Sequence, residues 1–130
     1  MEDRSAKRTL ASRATAMNDL VAEMDALVEE NKDFAGLEAK ILQIGNELVR
    51  RVLERRLQRQ ADAFRNEVCV QGVHYRRHQP AIVEYHSLCG PIRIERWTYR
   101  QCGVRNGPTV VPVEIAAGLF EGATPALAYS

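Results

Sequence analysis

"YHSLCGPIRIERWTYR", residues 85–100, decides the fold class. Leu88-Cys89-Gly90-Pro91 is a turn-forming segment, because Gly and Pro accept backbone angles that break a strand. The runs on either side, 81–87 ("AIVEYHS") and 92–100 ("IRIERWTYR"), are rich in β-branched and aromatic residues and read as the arms of an antiparallel hairpin. The second arm carries Arg93, Arg96 and Arg100 beside Trp97 and Tyr99. By alternation, Arg93, Glu95, Trp97 and Tyr99 share one face, and Ile92, Ile94, Arg96 and Thr98 share the other.

Upstream of the hairpin, "EVCVQ" (67–71) alternates like a short strand that Gly72 ends, and "VHYRRHQP" (73–80) reads as a polar connection or a second strand. Before residue 65 the period changes from two to between three and four. Met17, Leu20, Val21, Met24, Leu27 and Val28 fall on one face of a helix expected over 12–31. Phe34, Leu37, Ile41, Ile44, Leu48 and Val52 continue that spacing in a second helix over 34–64, with Asp33 as its N-cap. This apolar row is either a coiled-coil seam or the surface that receives the first helix. Downstream, 102–109 is a loop. The segment 114–130 turns Ala-rich and helical, and Thr124-Pro125 opens a last short helix.

The expectation is an α+β chain: an N-terminal amphipathic helix pair (1–64), a small antiparallel sheet (65–113), and the start of a further, truncated helix (114–130). At 130 residues it is one domain or a piece of one. With 45% hydrophobic and 27% charged residues it has the composition of a globular chain and not of a disordered one.

The net charge of +1 hides a local separation. From Asp19 to Glu47 there are eight acids against Lys32 and Lys40, while Arg50 to Arg59 holds five arginines against Glu54. Arg51, Arg55 and Arg59 recur at steps of four and form a basic stripe, a pattern that attracts phosphate or an acidic partner.

Several function classes lack their residues. No apolar run is long enough to span a bilayer, and the polar N-terminus has no signal core, so the chain is expected in the cytoplasm. Cys69, Cys89 and Cys102 form no paired framework. With His74, His78 and His86 they crowd 34 positions, which raises zinc, but there is no CxxC knuckle. Neither a metal nor a cofactor is expected. GxSxG, HExxH and Gly-rich phosphate loops are absent. Glu67, Glu84 and Glu95 do not read as a two-metal carboxylate set, and no catalytic residue is assigned.

A nucleic-acid contact fits the remaining pattern. Arginine forks suit phosphate, and aromatic rings stack on exposed bases. The residues expected to contact DNA are Arg51, Arg55 and Arg59 on the helix, with Arg93, Arg96, Trp97, Tyr99 and Arg100 on the ribbon. Weak duplex binding is expected, together with homodimerisation through residues 12–64.

"LVRRVLERRLQRQADAF", "GVHYRRH", "YHSLCGPIRIERWTYR", "NGPTVVP" and "EIAAGLFEGATPALAYS" in this order resemble the amino-terminal region of bacterial insertion-sequence transposases of the DDE class, the Kra-type family. The resemblance covers residues 46–130 and leaves the acidic first helix unmatched. It implies a non-catalytic portion that precedes a ribonuclease-H-like domain, so the chain reads as a truncated transposase. No catalytic acid carries over. Some relatives place a CxxCG knuckle after the hairpin. Here the matching positions are Tyr99-Arg100-Gln101-Cys102-Gly103, and Tyr99 in place of the first cysteine counts against zinc. The rival expectations are a helical assembly module without DNA binding and a small zinc-stabilised adaptor.

Overall fold

The computed structural model describes residues 2–28 and 33–128, with side chains from residue 12 onward. The elements are α1 (Glu2–Leu27), α2 (Phe34–Asp62), β1 (Glu67–Val70), β2 (Val73–Ser87), β3 (Gly90–Gln101), β4 (Thr109–Val110), α3 (Pro112–Ala117) and α4 (Pro125–Ala128). The chain is α+β. Its four strands form one antiparallel sheet in the order β1-β2-β3-β4. Among the described residues, no helix is long and apolar enough to cross a membrane.

The chain divides into two compact units, 1–45 and 46–130, so the boundary falls inside α2 and not after residue 64. The reason is that the later turns of α2 bond to the sheet. In the first unit, α1 runs from Glu2, ten residues earlier than the spacing indicates, and ends at Leu27. The last four positions expected for it, 28–31, hold a bend at Val28 and residues outside those described. Asp33 caps α2 as expected: its carboxylate accepts the Ala35 N–H at 3.2 Å. The Met24 methyl lies against Gly45.

In the second unit β2 and β3 make a long ribbon. It closes at Leu88–Cys89, where Ser87 pairs with Gly90. The buried Ser87 hydroxyl accepts the Cys89 N–H and donates to the Gly90 carbonyl at 2.7 Å. Gly90 takes φ 109, which a side chain would strain. Residues 73–80 are strand and not connection. Pro80 is tolerated because β1 pairs β2 only as far as Arg76, leaving Pro80 on an open edge beside a bulge between Arg77 and Gln79.

The core is Leu57 from α2, Tyr85 from β2, Ile92 and Ile94 from β3 and Val113 from α3. Burial of Ile92 and Ile94 on one face of β3 follows the alternation. The apolar row of α2 behaves differently. Phe34 is 74% exposed, Leu48 45% and Val52 53%, so it is not an internal seam of one chain. The sheet instead takes the side of α2 that carries Arg50, Glu54, Leu57 and Gln58.

That contact is a ladder. Arg50 donates to the Pro91 carbonyl at 3.1 Å, Glu54 accepts the Arg93 N–H at 2.9 Å, and Gln58 accepts the Glu95 N–H at 2.9 Å while donating to the Glu95 carbonyl at 2.8 Å. Four helical residues advance about 6 Å, and two strand residues about 6.7 Å. Side chains four apart on α2 therefore meet β3 groups two apart. The first half of β3, whose neighbour β4 reaches only Tyr99 and Arg100, has its free edge satisfied this way.

Gln58→Ala removes both bonds to Glu95 and reopens that edge. We expect a loss of about 1–2 kcal/mol in urea denaturation. Gln58→Glu keeps the acceptor but sets a carboxylate against the Glu95 carbonyl, so it should not restore stability. Full stability in either variant would show that the ladder is incidental.

Candidate nucleic-acid interface

Five of the eight expected contact residues lie on β3, and the strand treats them differently. Arg93 is exposed and sits 3.8 Å from Glu84 across the ribbon. Arg96 points inward with its side chain only 13% exposed, 3.8 Å from Glu114, and donates to the Tyr85 hydroxyl at 3.2 Å. Tyr85 in turn donates to Glu114 at 2.7 Å. Burial pushes the Tyr85 phenol above its ordinary value, the Arg96 contact opposes that rise, and the Glu114 contact adds to it. Arg96 is thus a structural cation that ties the ribbon to α3, not a free phosphate contact. Its inward position follows from sharing a face with Ile92 and Ile94.

Tyr99 is a second correction. It is 2% exposed, and its hydroxyl donates to the Arg65 carbonyl at 2.6 Å. By alternation it lies opposite Ile92 and Ile94, yet it too is buried, because the segment joining α2 to β1 covers that side. The ring has no surface on which a base could stack. Trp97 is half-buried with the Arg77 guanidinium over its ring, 5.3 Å from the centroid. Arg77 is fixed there by the Phe64 carbonyl at 2.7 Å and the Tyr99 hydroxyl at 3.3 Å. Arg100 is half-buried, and its Nε is buried without a hydrogen-bond partner.

The helix residues stay at the surface. Arg51 is exposed but pairs with Glu47 at 3.0 Å. Glu47 is also gripped by Arg50 at 2.6 Å. Hydrogen bonds from Arg50 and then Arg51 hold the Glu47 carboxyl at about 2. Arg55 and Arg59 are exposed and have no ion pair among the described residues, and the same holds for Arg56, which the four-residue stripe passes over. Arg55, Arg56 and Arg59 continue the exposed side of α2 that carries Leu48 and Val52.

Also missed by sequence reasoning are Arg76, Arg77 and His78. "YRRH" carries the signal, but the segment's unsettled strand assignment hid their partners. No group of three His, Cys, Asp or Glu side chains able to hold a metal ion exists among the described residues. Cys69 pairs across the strands with His74, Cys102 is exposed, and Cys89 is in the hairpin turn. Arg56 and Arg59 also border an apolar groove of about 820 Å³, lined by Val49, Leu53, Leu57, Leu88, Leu119 and Pro125.

Arg96→Ala should lower stability by about 1–3 kcal/mol, because Glu114 and Tyr85 lose a partly buried charged partner. It should leave the salt dependence of any DNA binding unchanged. A flattened dependence with intact stability would return Arg96 to the interface.

Searches with this chain matched no protein-family model, no curated protein and no solved structure.

Proposed function

We infer that the chain is a non-catalytic, DNA-contacting portion of a transposase-like protein, with the contact centred on α2. One observation carries this reading: Arg55, Arg56 and Arg59 are exposed, adjacent on the helix, and without an ion pair among the described residues. An arginine already bonded to a carboxylate gains little by moving to a phosphate, whereas an unpaired one releases DNA counterions when it binds. The ribbon contributes less, since Arg96 and Tyr99 are engaged within the fold and Arg93 faces Glu84. No catalytic role is proposed, because Glu67 and Glu84 lie beside arginines and Glu95 projects from the outer face of β3.

The test is fluorescence anisotropy on duplex DNA across a salt series. Arg55→Ala/Arg59→Ala should flatten the slope of log K against log salt by about 2, close to one unit for each lost phosphate contact. An unchanged slope, or no binding at low salt, rejects the reading.

The exposure of Leu48, Val49, Val52 and Leu53 favours a second reading, helical self-association without DNA. Under it, Leu48→Asp shifts sedimentation from dimer to monomer while the monomer's melting temperature holds, because Leu48 is half-exposed in one chain. A monomeric wild type across the concentration range sinks it.

A further inference from the structure

At the open end of the ribbon β2 sets Arg76 directly across from Arg100, and Arg77 across from Tyr99. Two arginines in direct cross-strand register repel one another. Arg76 is relieved by Glu67, its partner on the β1 side, through bonds of 2.7 and 3.1 Å. Arg100 has no such relief: among the described residues its guanidinium makes no hydrogen bond or ion pair, and its buried Nε is the one orphan of its kind. An unmet buried donor on a charged group keeps its full desolvation penalty.

Arg100 also borders a hollow of about 290 Å³ together with Arg76, Arg77, His78, Gln101 and Cys102. No carboxylate lines it. The bulge between Arg77 and Gln79 falls at His78 and adds that imidazole to the wall. Bulges commonly re-aim a side chain at a binding site. Arg77 also borders it, but as the cross-strand partner of Tyr99 it turns its guanidinium to the opposite face, where Phe64, Tyr99 and the Trp97 ring hold it.

We propose that this hollow is an anion site that takes a single phosphate group, held by Arg100 with His78 and Arg76 at its margin. A tetrahedral anion supplies acceptors to the terminal N–H groups of Arg100, which have no partner among the described residues, and cancels the Arg76–Arg100 repulsion; the buried Nε stays out of its reach. The same chemistry is offered by free orthophosphate and by a nucleic-acid backbone. The backbone form rests on the DNA reading above; the site itself does not, since it shares no residue with the α2 arginines.

Binding is read directly as heat, because Trp97 lies with Arg77 on the other face of the ribbon. Orthophosphate is titrated against sodium chloride at matched ionic strength by isothermal titration calorimetry, and a short oligothymidylate is then added to displace it. The expected result is a saturable change with phosphate that chloride does not give. Arg100→Gln should weaken it about tenfold or more with the melting temperature held, since one charge-assisted contact is lost. His78→Ala, at a half-buried position on the wall, provides a second variant if Arg100→Gln misfolds, and it too should weaken binding. A response identical to chloride, or wild-type affinity in Arg100→Gln (or in His78→Ala where the first variant misfolds), overturns the site. Phosphate binding lost in Arg100→Gln, with no oligonucleotide displacement and no duplex binding, upholds the site and sinks the DNA reading. Duplex binding that needs Arg55 and Arg59 but ignores Arg100→Gln upholds the DNA reading and overturns the backbone form of the site.

Discussion

The arrangement of the second unit depends on a match of two repeat lengths. Side chains at four-residue steps on α2 reach backbone groups at two-residue steps on β3, and Arg50, Glu54 and Gln58 meet Pro91, Arg93 and Glu95 in sequence. A strand edge left open exposes donors and acceptors that pair with any other edge. Here the helix closes it with side chains. The opposite edge, at the hairpin end of β2, is closed by backbone: His86 donates to Gly122, and Thr124 donates back to the His86 carbonyl. Once the ladder sets the register of helix on strand, Leu57 falls onto Ile92 and Ile94, and α3 adds Val113.

The ladder also sorts the arginines. Arg50 serves β3, Arg96 binds Tyr85 near Glu114, Arg77 holds Phe64 and Tyr99, and Arg76 holds Glu67. These are fixed by partners inside the fold, and their charge is largely used there. Arg55, Arg56 and Arg59 take no part in the ladder and stay exposed, Arg56 and Arg59 at the rim of the apolar groove. Arg100 is the exception, lying close to the structural arginines but without a partner. The difference between used and unused cations, more than the small net charge, sets what this surface can attract.

Much of the fold was legible in the residues. The step of three and four placed α2 from Phe34 to within two residues of its end, and Leu88–Pro91 located the ribbon's turn. Residues 73–80 were harder, because their polar side chains and Pro80 weaken the strand pattern, and only pairing with β3 and an open outer edge make a strand there acceptable. The site was less legible. Spacing identified the α2 arginines and brought Trp97 and Tyr99 forward, but it carried nothing about the α2–β1 segment that covers Tyr99. His78 and Arg77 were passed over because a bulge has no local sequence mark.

Local chemistry, then, was enough to set element type, the hairpin turn, the inward face of β3 at Ile92 and Ile94, and the charge separation between the acidic stretch of 19–47 and the arginines of 50–59. Periodicity and turn residues act over a few positions, so they can be read along the chain. Which side of α2 is covered, which arginines are spent, and which aromatic is buried were decided only when distant segments met. Arg96 and Arg93 have the same side chain three positions apart, yet one is held beside Glu114 and the other faces solvent. A guanidinium's role depends on which acceptors lie within reach, and for Arg96 these are the Tyr85 hydroxyl at 3.2 Å, 11 residues away, and the Glu114 carboxylate at 3.8 Å, 18 residues away.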